Sequence, residues 1–308
     1  MSFTAVMKKV NPKQRIKEAY SVFGSCCLCG NRCGVNRLKG EKGRCKSGSE
    51  VKVSSYNLHF GEEPPISGTA GSGTIFFTNC SLSCVYCQNY PISQLGNGNP
   101  ISTKRLARMM MELQARGAHN LNLVTPTHFI PQIVEAFFHA REWGLTLPLV
   151  YNTSGYESQE GLELLDGIID IYLVDMRYSD NKTGELYSGV KNYVEINRTA
   201  VKEMFSQVGH LTLDSKGIAR SGLIIRHMVL PSGLAGSEKT FQFVAQQISN
   251  EVWVSVMDQY FPAHRAERYP ALERKTTWDE YLKAEKAFFD SGLKNGWVQE
   301  RMVTDEVS

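Results

Sequence analysis

No stretch of the 308 residues approaches the run of about 18 apolar residues that a membrane-crossing helix needs, so no membrane-embedded segment is expected. The opening Met1-Ser-Phe-Thr-Ala-Val-Met-Lys-Lys9 has no sustained apolar core either, which speaks against a secretory leader. Excess charge is missing as well. The 34 Lys and Arg against 31 Asp and Glu leave a net +3, too little to argue for a nucleic-acid partner. The most basic run, Arg37 to Lys46, is interrupted by glycines and reads as a solvated loop. Cysteine is absent after Cys87, so disulfides cannot staple the larger part of the chain. A content of 42% hydrophobic and 21% charged residues fits a globular protein with a sizeable core.

The cysteines fall in two tight groups, five between Cys26 and Cys45 and three between Cys80 and Cys87. Clustering of this kind, without a leader, points to metal binding in a reducing compartment, and hence to the cytoplasm. The second group reads Cys80-Ser-Leu-Ser-Cys84-Val-Tyr-Cys87, directly after the apolar run 74–78. Three thiolates at this spacing on one loop can hold three corners of an iron–sulfur cube and leave the fourth iron open; a zinc ion completed by a histidine is the alternative. In the first group, Cys26, Cys29, Cys33 and Cys45 form C-x2-C-x3-C-x11-C. Four ligands suffice for a closed zinc site or for an auxiliary iron–sulfur cluster. So small and polar a segment has little core of its own, and a metal would contribute folding free energy. Cys27 is left over as a buried thiol. Ahead of the group, residues 11–23 place Ile16, Tyr20 and Phe23 on one helical face, with Pro12 at the first helical position and Gly24 as a stop.

Residues 51–73 contain Gly61-Glu-Glu-Pro-Pro65 and a glycine-rich run from Gly68 to Gly73. No Lys-Ser or Lys-Thr follows those glycines, and they precede a strand, so the stretch reads as a linker. From Thr74 onward, a strand-like run alternates six times with a helix-period run. The strands are expected at 74–79, 120–124, 147–151, 169–174, 223–230 and 252–256. The helices include 103–116 with Ser102 as N-cap, one opening at Pro131, one near Gln159, one over 194–208, one capped by Ser237 and one from Thr277 with Glu280 three residues on. This alternation implies a parallel α/β sheet, either an open doubly wound sheet or a partial (β/α)6 barrel, with ligands beyond the C-terminal strand ends.

The residues past each strand are chemically pointed. They comprise the cysteine loop, Thr125-Pro-Thr-His128, Tyr151-Asn152-Thr153-Ser154-Gly155, Asp175-Met-Arg177 and Met257-Asp258-Gln259-Tyr260, while Arg226 and His227 lie within the fifth strand. Neighbours on a strand face opposite ways, so one of Arg226 and His227 faces the interior, and Arg226 is the one suited to a ligand carboxylate. Asp175 and Arg177 alone would read as a surface ion pair, and His128 and His227 equally as hydrogen-bonded structural histidines.

From about residue 66 onward, the chain resembles the radical S-adenosylmethionine (SAM) family, in particular its pyruvate formate-lyase activating-enzyme branch. The likeness rests on Cys80–Cys87, on Leu173-Val-Asp175-Met-Arg177, similar to that branch's Asp-x-Lys element, and on Ile225-Arg226-His227-Met-Val-Leu-Pro231, similar to its fifth strand. The resemblance implies a radical SAM partial barrel over 66–308 behind a cysteine-rich segment over 1–65. It implies a [4Fe-4S] cluster on Cys80, Cys84 and Cys87 whose open iron binds SAM, with Tyr86 near the adenine. Asp175, Arg177 and Arg226 would contact SAM, and Asn152 and Ser154 would lie near its ribose or carboxylate. Where many members carry Gly-Gly-Glu after the second strand, this chain has Thr125-Pro-Thr127, so backbone carbonyls there would serve. The implied activity is reductive SAM cleavage and hydrogen abstraction, with a flavodoxin or ferredoxin as electron donor. A protein substrate activated as a glycyl radical, or else a small molecule or another peptide, would follow. A non-catalytic zinc or electron-transfer protein is the rival of a different class.

Overall fold

The computed structural model describes residues 11–299; the opening Met1–Lys9 read above lies outside them. Helix α1 (Pro12–Ser21) leads through the cysteine-rich segment to strand β1 (Val51–His59) and the short helix α2 (Pro64–Ser67). The alternating part then runs β2 (Ser72–Phe77), α3 (Tyr90–Ser93), β3 (Asn99–Ile101), α4 (Thr103–Ala115), β4 (Leu121–Val124), α5 (Ile130–Glu142), β5 (Leu149–Thr153), α6 (Gln159–Glu163) and β6 (Ile171–Asp175). It continues with α7 (Asn181–Ser188), α8 (Tyr193–Val208), β7 (Thr212–Leu213), β8 (Ala219–Met228), α9 (Ser237–Gln247), β9 (Trp253–Met257), α10 (Trp278–Asp290) and β10 (Asn295–Val298).

The sheet order is β10-β9-β8-β6-β5-β4-β2-β1-β3, with β7 paired to β8. Strands from β2 through β10 in that order pair in parallel, and β1 is antiparallel to β2. This is the mixed α/β partial barrel expected, with two additions. A seventh parallel strand, β10, follows the sixth helix, and β1 extends the sheet on the other side. The six expected strands shift by one to four residues at their starts; β5 begins at Leu149 because Pro148 has no N–H to give a ladder.

Period-2 alternation divides each strand between two faces. Leu121, Leu123, Tyr151, Tyr172, Val174, Leu223, Ile225, Val254 and Val256 face outward into one large core shared with Leu106, Phe137, Met204 and Phe241 of the helices. The inner face holds a small apolar cluster of Val150, Ile171, Leu173 and Ile224, closed from the N-terminal end by Ile66 of α2. Above that cluster, the inward positions turn polar.

Helix starts follow their caps. Ser102 accepts the Arg105 N–H, and Thr277 with Glu280 forms the capping box. Ser237 is not a cap, contrary to expectation. Gly236, at φ 66, takes that position, and the Ser237 hydroxyl bonds His227 Nε2 at 2.9 Å instead.

The N-terminal segment is fastened to the barrel rather than set apart. Ala19, Phe23, Cys26 and Leu28 belong to the main core. The guanidinium of Arg37, 1% exposed, donates to the Gly48 and His128 carbonyls and lies 4.0 Å above the Phe23 ring. Core and sheet therefore run continuously across residue 65.

Candidate active site

The cysteine loop leaves β2 through Asn79, held at φ 69 with its side-chain amide on Ser47 Oγ. The loop then runs extended against the end of α7, with Ser83 N–H on Ser188 O and Val85 N–H on Tyr187 O. That strapping turns Cys84 inward. Its Sγ lies 2.9 Å from Ser188 Oγ and 3.4 Å from Arg177 Nη1. Cys87 Sγ lies 3.1 Å from Ser93 Oγ, and Cys80 Sγ accepts the Leu82 N–H. Burial pushes the Cys80 thiol up to about 12, with the neighbouring Cys84 and Cys87 adding to the effect, and burial raises Cys87 too. Thiols so placed ionise only against nearby positive charge, which bound iron supplies. Among the described residues, no three His, Cys, Asp or Glu side chains stand at the spacing of ligands to a single ion. The three-thiol donor set, ringed by hydrogen-bond donors to sulfur, suits the corners of an iron–sulfur cube.

The strand-end residues read from the sequence divide into two connected groups. Arg226 faces inward from β8 and donates through Nε to Asp175 (2.9 Å), Nη1 to Glu62 (3.2 Å) and Nη2 to Asn152 (2.7 Å). Arg177 joins this group to the cysteines, with Nη2 on Asp175 (2.7 Å) and Nη1 on Cys84. Asp175 and Arg177 are thus a half-buried pair tied into the site, not a fully exposed surface one. Burial alone would raise Asp175, but Arg226 and Arg177 hold its carboxyl below the usual range. Thr125 sits at φ 57 with its N–H on Asn152 O, and Ser154 contributes its carbonyl to the Tyr193 hydroxyl. Tyr86 is buried against the cysteine loop with its hydroxyl 2.5 Å from that of Tyr178.

His128 and His227 stand apart from this network. His128 Nε2 bonds Thr78 O, and burial drops its pKa to about 3; His227 bonds Met176 O and Ser237, and burial drops it to about 4. Both are neutral structural side chains, and neither completes a zinc site with the three cysteines.

Four residues at the site escaped the sequence reading. Glu62 and Glu63 belong to the stretch read as a linker, which instead enters the barrel. Glu62 accepts from the Asn122 and Asn152 amides as well as from Arg226. Glu63, 8% exposed, has an Oε2 without a partner; burial raises its pKa, Arg226 counteracts that, and Glu62 adds to it. Prolines 64 and 65 fix the backbone just beyond them. The available signal was inward Asn122 and Asn152, two polar side chains on strand positions that demand partners. Tyr193 and Asn197, one turn apart on α8, clamp the ends of β5 and β6. Tyr193 accepts the Arg177 N–H (3.0 Å), and Asn197 donates to Gly155 O and Asp175 O.

The N-terminal cysteines gather beside this site. Cys29 lies in the electrostatic range of Cys33 and Cys45, and Cys45 in that of Cys26, while Cys27 is only half-buried, not the buried thiol expected, because it turns toward Arg32 and Glu160 at the surface. Burial pushes the Cys29 thiol up to about 12. Gly30 N–H bonds Tyr156 O, and Arg32 pairs with Glu160. Asn31 links the two cysteine groups directly, with its amide on Ser81 O (2.7 Å) and 3.6 Å from Cys29 Sγ.

A partial α/β barrel with a three-cysteine loop at its mouth and a cysteine-rich segment packed beside that loop is thereby defined. No known protein-family profile matches the chain. An uncharacterized protein of Methanocaldococcus jannaschii is 33% identical over 283 residues, which cover 88% of this chain and 76% of that one. The chain belongs to the family of that protein. Among solved structures, it is similar to SuiB of Streptococcus suis bound to S-adenosylmethionine, with a TM-score of 0.48 and 12% identity over 72% of this chain and 48% of that one. It is also similar to the FeFe-hydrogenase maturase HydG from Carboxydothermus hydrogenoformans, with a TM-score of 0.45 and 14% identity over 70% of this chain and 49% of that one. The chain spans about half the length of both.

Proposed function

We propose that the chain is a radical SAM enzyme of the cytoplasm. The observation that carries this reading is the C-x3-C-x2-C loop at the C-terminal end of the first parallel strand, its Cys84 sulfur joined through Arg177 to Asp175 and Arg226. Cys80, Cys84 and Cys87 would hold a [4Fe-4S] cluster there, which would supply the electron for reductive cleavage of SAM and so the radical chemistry for hydrogen abstraction from a substrate. The chain's own residues bind and orient. Of the five guanidinium N–H groups of Arg226, three are engaged and two remain for a ligand carboxylate. Asp175 sets the plane of that guanidinium and keeps Arg177 on the sulfur. Asn152, Ser154 and the Thr125 turn line the same rim, and Tyr86 walls the loop side.

The finer reading is activation of a protein as a glycyl radical, supported by the likeness of 173–177 and 225–231 to the activating-enzyme branch. A flavodoxin or ferredoxin is the expected donor, and Cys26, Cys29, Cys33 and Cys45 are assigned a zinc ion or a second cluster. The test is anaerobic reconstitution followed by a 5′-deoxyadenosine assay, with Cys84→Ala alongside. Wild type should form 5′-deoxyadenosine and Cys84→Ala should form none. A reconstituted cluster that neither binds nor cleaves SAM would replace the proposal with a non-catalytic electron-transfer protein.

A further inference from the structure

The back of the cysteine loop, away from the barrel interior, carries a pocket of about 510 Å³. Ser83 and Val85, the neighbours of Cys84, line it together with Arg44, Lys46, His264 and Arg265, and no acidic side chain does. Arg44 and Lys46 come from the N-terminal cysteine segment. Arg265 is fixed to the loop by its N–H on Val85 O (2.8 Å), and His264 by stacking on Tyr90, 4.7 Å between ring centres. Among the described residues, none of Arg44, Lys46 and Arg265 makes an ion pair. Arg265 Nε is buried without a partner. Burial and then the charges of Arg265 and Arg268 hold His264 below its usual pKa, a sign that this field is uncompensated. With a net charge of only +3 over the whole chain, the concentration is local. Like charges gathered without a counter-charge favour an anionic partner, and a focused positive patch steers one in.

We propose that this pocket docks the acidic surface of a protein that delivers single electrons to the cysteine loop. The inference rests on the radical reading above. Anything seated here is one residue from Cys84 but separated from the barrel interior by the loop, so it is placed to deliver electrons and not to receive the radical. In the step served, a reduced flavin or iron–sulfur protein loses one electron and the cluster gains it. No bond forms or breaks and no proton moves.

The experiment uses the full chain, reconstituted anaerobically at matched iron content, with a reduced acidic flavodoxin as probe. Binding and the rate of cluster bleaching are followed at low and high salt. The variant Arg44→Ser/Lys46→Ser/Arg265→Ser is compared with Lys104→Ser/Lys182→Ser/Lys239→Ser, which removes the same charge from exposed positions elsewhere. The pocket variant should bind and be reduced by flavodoxin about tenfold more slowly or weakly at low salt and lose most of its salt dependence. The control should match wild type, and both should be photoreduced normally by a small deazaflavin. Should the triple variant fail to retain iron, Arg265→Ser alone, outside the cysteine segment, carries the test with a smaller loss in the same direction. Equal behaviour of pocket and control variants overturns the proposal. Normal docking without any 5′-deoxyadenosine would leave the pocket in place and sink the radical reading instead.

Discussion

Replacing Arg226 by Met keeps most of the side-chain volume and removes the charge. The Arg226 side chain is 17% exposed, and those of its partners Asp175 and Glu62 are 16% and 9% exposed. Asp175 would keep Arg177 at 2.7 Å, but Glu62 would keep only two amide donors, from Asn122 and Asn152. The loss therefore falls mainly on Glu62, a carboxylate stranded in the barrel. Removing one partner of a buried pair costs about 3–5 kcal/mol, whereas breaking an exposed pair costs under about 1 kcal/mol. Neutralising the stranded group as well, in Arg226→Met/Glu62→Gln, should restore part of that loss, with a coupling of about 0.5–3 kcal/mol. Urea unfolding at neutral pH, with the slopes compared to verify that only the midpoint moves, measures each corner of the cycle. SAM titration of the reconstituted single variant should show at least about tenfold weaker binding, the loss of one charge-assisted hydrogen bond. A stability cost below about 1 kcal/mol, or a double variant no better than the single, would refute the reasoning.

Three further outcomes are expected. Cys29→Ala or Cys33→Ala should release one metal site and loosen residues 24–48 in hydrogen exchange while the barrel cluster stays; intact wild type holding no metal beyond that cluster would contradict this. Burial raises Asp170 to about 6, with the Leu149 N–H and Arg141 acting the other way. Its folded pKa thus lies above the unfolded one, so the contribution of Asp170 to stability is fully present below about pH 4 and is lost as pH rises through about 6, by about 2–3 kcal/mol. Asp170→Asn should flatten that part of the urea-midpoint profile, and identical profiles would exclude the assignment. Gly155 holds φ 69, and a Cβ there would stand 2.1 Å from Asn197 Nδ2. Gly155→Ala should cost about 2–4 kcal/mol from left-handed strain plus overpacking, measured by denaturation, and an unchanged midpoint would contradict the clamp.

What was legible in the sequence was whatever follows a period or a spacing. The cysteine loop, the alternation of strands and helices, the caps at Ser102 and Thr277 and the inward turn of Arg226 all follow from such rules, and the structure has them. Glu62 and Glu63 were missed because a side chain that enters a barrel from a loop has no periodicity to betray it. Strand β1 was missed because only its first part, Val51 and Val53, is buried in alternation, and β10 because none of its four residues is fully buried. Asn197 was read simply as helix and Tyr193 fell just ahead of the helix read over 194–208, since the carbonyls they hold belong to strands far off in sequence. Arg226 was assigned to a ligand alone because the two carboxylates that share it, Asp175 and Glu62, lie 51 and 164 residues away.

The manner in which Arg37 is buried has a consequence for the order in which this chain assembles. Its charge is met by main-chain carbonyls, one of them from His128, and the neighbouring Ser49 carbonyl is met by the Gln132 side chain. Farther back, Gly30 and Arg32 find their partners at Tyr156 and Glu160. On a ribosome, residues 24–49 emerge well before any of these groups exist. This early part of the chain therefore closes only once residues 128–160 have been made, waiting with five thiols through the synthesis of about one hundred residues. An ion or cluster captured by those thiols in the interval would hold the segment folded until its seat is built, and shortage of that metal would then register as a failure of maturation rather than of turnover.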